Sequence, residues 1–251
     1  MLISDKYREL NTQLHATGQF GISGHKWVNV VEWIVNHHQI KQILDYGAGQ
    51  ETLKKNLQHL SSVQITSYDP AIPHLSAPPA PTELVTCTDV LEHIEPEFIN
   101  NVLDHIASIS TKITFLVIPT GPASKTLADG RNAHLNQKPV EWWLPKLLDR
   151  FDLISLNNTS GDIVVLLSAK SSDAGVLNNF LRENVDQLFE YSRIQSITFD
   201  GIYFNICIKP KSTSKRWLAR LISILSLGTK IGIAKRIKSS VPLPKINLIT
   251  Y

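Results

Sequence analysis

Apolar residues along the first 170 positions alternate between two rhythms, one helical and one of short continuous runs. Ile3 to Ala16 is spaced as a short helix. Lys26 to His38 is spaced as a second, with Trp27, Val30, Val31, Ile34 and Val35 on one face. The glycine-rich stretch GQFGISGHKW separates them. QILDYG then reads as a short buried strand, Glu51 to Leu60 as a helix, and VQITSYDP as a second strand stopped by Pro70. Ala71 to Pro81 holds four prolines and reads as loop. LVTCTDV is a third strand pattern, and Pro96 opens a helix carrying Phe98, Ile99, Val102, Leu103 and Ile106. ITFLVIP is a fourth strand, ended by Pro119. Strands and helices in alternation predict an α/β fold, a mainly parallel sheet with helices on both faces.

A polar loop from Thr120 to Pro139 interrupts the pattern, and a loop of that length is more often functional than idle. Val140 to Arg150 is helical, and DLISLNN with DIVVLLSAK reads as an antiparallel pair. The pattern divides the chain into a domain over 1–170 that includes the amino-terminal lid helices, a helix–hairpin extension over 171–210, and a basic amphipathic tail over 211–251. In the extension, Val176 to Tyr191 is a helix and Asp200-Gly201 a hairpin turn.

Charge sharpens this division. After Asp200 there is no acidic residue and there are ten basic ones, whereas residues 1–200 carry 15 basic and 22 acidic groups. The net of +3 is therefore the sum of a body at −7 and a tail at +10. The body speaks against a nucleic-acid partner, and the tail is the part suited to an anionic surface. Trp217, Leu218, Leu221, Ile222, Ile224 and Leu225 form one apolar face there, with Arg216, Arg220 and Ser223 opposite, as in a helix lying on a membrane or packed on protein. No signal peptide and no membrane span is legible, and two cysteines make no disulfide framework. The expected location is the cytoplasm, with peripheral contact on the inner face of the membrane.

The stretch ILDYGAGQETL raises the question of which nucleotide its glycines serve. A strand ending in Asp45, then Gly47 and Gly49, then a helix, brings bare backbone up to a ligand. The third glycine of a dinucleotide fingerprint is replaced by Gln50-Glu51, and a carboxylate there would repel a pyrophosphate. Asp69, ending the next strand, is placed to accept bonds from ribose hydroxyls. A ribose-bearing ligand without phosphate is S-adenosylmethionine.

DYGAGQETL, YDP, LVTCTDVLEHI, ITFLVIP and DGRNAHLNQKPVEWW, in that order over Gln42 to Lys170, resemble a class I S-adenosylmethionine-dependent methyltransferase. The resemblance implies a Rossmann-like sheet and methyl transfer to an oxygen or nitrogen of a small molecule or sugar. It implies that Gly47 and Gly49 frame the methionine part with Asp45 beneath it. Asp69 takes the ribose, and Thr88 and Asp89 flank the cofactor. GQFGISGHKW, with His15 and Lys26 near it, falls where such enzymes lay a lid. One departure stands out: AIPHLSAPPAPTE replaces a further helix and strand of the family, so the third-strand edge is expected to be shortened.

Candidates for chemistry must lie at the carboxyl ends of the strands. Asp89, Glu92 and His93 open one helix, where Asp89 and Glu92 read as a capping box. His134 in the long loop is the expected general base, with Asp89 and His93 as further catalytic candidates. Asp129, Arg131 and Asn132 are the candidate substrate contacts. No metal is expected. The alternative, Asp89, Glu92, His93 and His134 as ligands, is similar to the metal site of the small-RNA 3′-end 2′-O-methyltransferases. A non-catalytic binding module with the cofactor fold is the third reading.

Overall fold

Ile43 and Leu44 are neighbours in the first strand and both are almost wholly buried. Successive strand residues point to opposite faces, so this strand is covered on both sides. The computed structural model describes residues 1–171, 175–199, 203–211 and 245–250, which fall into two compact units, Met1–Lys138 and Pro139–Tyr251. The dividing point lies inside the 1–170 segment drawn from the sequence pattern.

In the first unit, α1 (Asp5–Ala16) and α2 (Val28–His38) precede β1 (Gln42–Tyr46), α3 (Thr52–Asn56) and β2 (Gln64–Tyr68). Then come β3 (Thr82–Thr88), α4 (Ile99–Ile109) and β4 (Ser110–Pro119). The four strands run parallel in the order β2-β1-β3-β4. The chain leaves β1 to one side for β2 and returns on the other side for β3. That reversal is a topological switch point, and its crevice lies beyond the carboxyl ends of β1 and β3. The fold of this unit is α/β and Rossmann-like.

Burial explains the elements. β3, TELVTCT, buries all but one residue, and α4 turns a stripe of Ile99, Val102, Leu103, Ile106 and Ile109 onto β3 and β4. α3 is shorter than the expected Glu51–Leu60, because Asn56 bonds back to the Thr52 carbonyl and the His59 ring takes up the Asn56 carbonyl. No strand lies beyond β2 among the described residues, so the third-strand edge is indeed shortened. In its place a turn over Pro73–Leu75 folds back, with the Asp69 N–H donating to the Leu75 carbonyl.

In the second unit, α5 (Val140–Leu148) leads into β5 (Phe151–Asn158) and β6 (Asp162–Ala169), which pair antiparallel as the sequence predicts. α6 (Val176–Tyr191) packs on α5, and Arg182 pins it by donating to the Leu148 and Phe151 carbonyls and to Asp152. β7 (Ser192–Phe199) and β8 (Tyr203–Pro210) form the expected hairpin. β9 (Lys245–Thr250) runs parallel to β8, so the end of the 211–251 segment adds a strand where the sequence reading saw only a tail. The expected tail helix and the Asp200-Gly201 turn lie outside the described residues. No described helix is long and apolar enough to cross a membrane.

Candidate active site

The turn after β1 is built from its own backbone. Gly47 and Ala48 donate to the Tyr68 carbonyl, Gly49 to Asp69 Oδ2 at 3.1 Å, Gln50 to the Gly21 carbonyl at 2.9 Å, and Glu51 to the Ala48 carbonyl. Every amide from Gly47 to Glu51 is thus used within the protein, and none is left to cradle a phosphate. Gly47 (φ +77°) and Gly49 (φ +50°) are required by close approach as well as by conformation. A Cβ on Gly47 would stand 2.4 Å from Val90 Cγ2, and one on Gly49 would stand 2.5 Å from the Gly21 oxygen. The segment after α1 is therefore laid directly across the turn. Thr52 Oγ1 fastens it at the Ile22 carbonyl, and Gln50 Nε2 holds the His15 carbonyl in the last turn of α1.

Two carboxylates sit under and beside this turn. Asp45 is 4% exposed, accepts a long bond from Thr86 Oγ1, and is pushed up to about 7 chiefly by burial. Asp69, also buried, accepts from the Gly49 and Ala71 amides, one on each oxygen. Each of its oxygens keeps a second lone pair for a hydroxyl. A buried acid poised to ionise beneath the turn and a buried carboxylate with acceptor capacity beside it fit the ammonium and ribose of S-adenosylmethionine. The absence of free amides fits a ligand without phosphate.

Thr88, the last residue of β3, is buried, and Asp89 just beyond it adopts a left-handed conformation (φ +56°). The expected helix start is instead a 3₁₀ turn over Leu91–His93 whose cap, Val90, makes no side-chain bond. The capping box of Asp89 and Glu92 does not form, because the left-handed Asp89 takes its side chain out of capping geometry. The turn brings Glu92, fully buried, against two imidazoles. Glu92 Oε1 is 3.5 Å from His93 Nε2 and 3.8 Å from His134 Nε2. His93 Nδ1 bonds the Ala133 carbonyl at 2.8 Å and His134 Nδ1 bonds the Gly121 carbonyl at 2.7 Å.

A carbonyl can only accept, so both Nδ1 atoms carry the proton and both Nε2 lone pairs are turned toward Glu92 when the rings are neutral. Burial holds His93 down at about 4. One ligand atom from each of the three residues lies within 4.8 Å of the others. Backbone-anchored imidazoles with Nε2 presented beside a carboxylate are the outer-shell pattern of metal-binding histidines. Asp89, the fourth alternative ligand, is not part of this cluster.

The other loop candidates have different neighbours. Asn132 clasps Ala123 from both ends of its amide and accepts from the His134 N–H, so it shapes the loop. Asp129 and Arg131 pair with each other at 2.7 Å on the surface, and Arg131 lies over the Tyr7 ring. Three residues that the sequence reading did not single out support the cluster. Asn136, fully buried, donates to the Leu91 and Ile94 carbonyls; Tyr7 donates its phenol to the His93 carbonyl; Glu95 accepts from the Ser4 backbone and hydroxyl. No local pattern distinguishes such residues from ordinary polar loop positions.

No family model and no curated protein matches the chain. Solved structures do. Magnesium protoporphyrin IX methyltransferase from Synechocystis, with bound S-adenosylmethionine, is 16% identical at a TM-score of 0.40, over 58% of this chain and 79% of that one. The methyltransferase domain of bacterial CtHen1 is 14% identical at 0.44, over 59% and 99%. The 1,6-didemethyltoxoflavin N1-methyltransferase of Burkholderia thailandensis, with its acceptor and S-adenosylhomocysteine bound, is 13% identical at 0.47, over 65% and 87%. All three are methyltransferases by description, and two of them hold the methyl donor or its spent form.

Proposed function

We propose that this chain is a class I methyltransferase that uses S-adenosylmethionine to methylate a hydroxyl of a small molecule. We propose further that Glu92, His93 and His134 hold a divalent cation at the acceptor. The observation that carries the reading is the pair of Nε2 atoms turned toward a buried carboxylate at a switch-point crevice already lined by Asp45 and Asp69.

The cofactor supplies an activated methyl group on a sulfonium. Asp69 accepts from the ribose, Asp45 answers the ammonium, and Gly47 and Gly49 let the backbone approach. Glu92, His93 and His134 would offer a cation one hard oxygen and two imidazole nitrogens, a set that suits manganese, iron or zinc, and the ion would supply Lewis acidity toward an acceptor hydroxyl. Without a cation, His134 Nε2 is the atom placed to take the acceptor proton, as the sequence reading expects. Asp89 and Thr88 remain candidate cofactor neighbours. Asp129, Arg131 and Asn132 are less suited to substrate, since their groups are engaged within the loop.

For the acceptor we favour a sugar, in surface-polysaccharide or lipid-linked glycan synthesis. Neighbouring hydroxyls suit chelation, and the basic 211–251 segment suits work at the inner face of a membrane. A ribose 2′-hydroxyl of RNA would suit the same trio, but the acidic body disfavours it.

The test is manganese titration followed by electron paramagnetic resonance, with S-adenosylhomocysteine titrated in parallel by calorimetry. Wild type is expected to bind both. Glu92→Gln and His134→Ala should lose the metal and keep the cofactor product. Manganese binding unchanged in both variants would sink the cation, leaving His134 as base; no binding of the cofactor product by folded wild type would sink the methyltransferase reading.

A further inference from the structure

His15 stands in the last turn of α1, beside the carboxylate of Asp69, which follows β2 directly. Its Nε2 is 3.7 Å from Asp69 Oδ2, and the two side chains are 11% and 8% exposed. That separation is beyond hydrogen-bond reach. Nor is the pair an ion pair at neutral pH. Burial lowers the imidazole pKa and outweighs the opposing pull of Asp69 and of the Phe20 backbone. His15 Nδ1 is buried without a hydrogen-bond partner. A buried polar ring that neither bonds nor neutralises the carboxylate facing it is unfavourable by itself.

The surrounding structure nevertheless fixes it there. Gln50 Nε2 holds the His15 carbonyl at 3.0 Å, and Phe20 meets the ring edge-on with centroids 5.0 Å apart. Gly21 leaves room for it, since a Cβ at that position would be 2.8 Å from the imidazole Cε1. One turn earlier, Thr12 Oγ1 donates to the Ala71 carbonyl at 2.7 Å. α1 is thereby tied to the residues that follow Asp69, on the side where no strand lies beyond β2 among the described residues.

We propose that His15 is a cofactor-binding residue, which together with Asp69 takes the ribose hydroxyls of the S-adenosyl ligand. The inference rests on the methyltransferase reading above. Two atoms 3.7 Å apart both lie within about 2.8 Å of a single hydroxyl oxygen placed between them and outward. The carboxylate accepts the hydroxyl hydrogen, and the neutral ring meets the same oxygen or its neighbour. The amino-terminal helix thus contributes to the rim of the site that the shortened edge leaves open.

The test is a cycle between residue and ligand. Wild type, His15→Ala and His15→Gln are titrated calorimetrically with S-adenosylhomocysteine and with its 2′-deoxy and 3′-deoxy analogues. Wild type is expected to prefer the full ribose over one deoxy analogue by about five- to tenfold more than His15→Ala does, as for one neutral hydrogen bond. His15→Gln, with an amide in place of the ring, should restore part of that preference. If His15→Ala weakens all three ligands alike, or none, the residue serves only packing and the proposal falls while the methyltransferase reading stands. If folded wild type binds none of them, both fall.

Discussion

Asp45 ties the stability of the fold to pH through one carboxyl group. Its folded pKa of about 7 lies above the ordinary value of 3.8, so the folded chain keeps a proton that the unfolded chain has released. Folding is therefore favoured by this group below about pH 4, and the advantage is lost as pH rises toward 7. Above that, the fold must bury a charge. Asp45→Asn keeps an acceptor for Thr86 Oγ1 and removes the charge. We expect it to raise the melting temperature at pH 8 by roughly 5 °C or more, with little change at pH 4, in thermal scans of the ligand-free chain. If Asp45 faces the cofactor ammonium, the same variant binds S-adenosylhomocysteine more weakly. A variant neither more stable at pH 8 nor weaker in binding would remove Asp45 from the site. The places of Gly47, Gly49, Asp45 and Asp69 at and beside the turn were legible in the sequence because each is defined by its offset from the end of a strand. The meeting of Glu92 and His93 with His134 was suggested only by the resemblance to a metal site, in a set that also held Asp89. Spacing along a loop does not say which way an imidazole turns, and Asn132, read as a substrate contact, is bound to its own loop.

At the scale of elements, α1 is a buttress for the turn that carries Glu92 and His93. Ser4 caps it at the Tyr7 N–H and is itself held by Glu95, while the Tyr7 phenol reaches the His93 carbonyl. The helix was plain from its spacing, but its docking was not, since a tyrosine on an amphipathic face reads as core. Tyr7→Phe keeps the ring and strands a carbonyl. It is expected to cost about 1–3 kcal/mol of stability by denaturant titration. It should also weaken manganese binding, because the turn carrying Glu92 and His93 loses an anchor. Unchanged metal affinity at reduced stability would confine Tyr7 to the fold.

For the whole molecule, the opposition of an acidic body and a basic carboxy-terminal segment is a property of the sequence, and composition made it legible without any structure. β9 was not legible, because a parallel pairing with β8 depends on where a distant segment returns. Cutting the segment away would also remove that strand, so charge is the cleaner variable to test. Replacing Lys215, Arg216 and Arg220 with Gln is expected to lower co-sedimentation with anionic vesicles by at least tenfold, at about 1 kcal/mol for each basic group near the surface. Equal sedimentation before and after would leave the membrane out of the function.

The segment laid over the glycine turn bears on the pace of the whole cycle. Its fastenings, Gln50 N–H to Gly21 and Thr52 Oγ1 to Ile22, with Gln50 Nε2 to His15 in the last turn of α1, join one short stretch to one short stretch. On the methyltransferase reading proposed above, a spent donor lying beneath it would leave only as these bonds part, and its residence time would then be set by the amino-terminal segment and not by the groups that react.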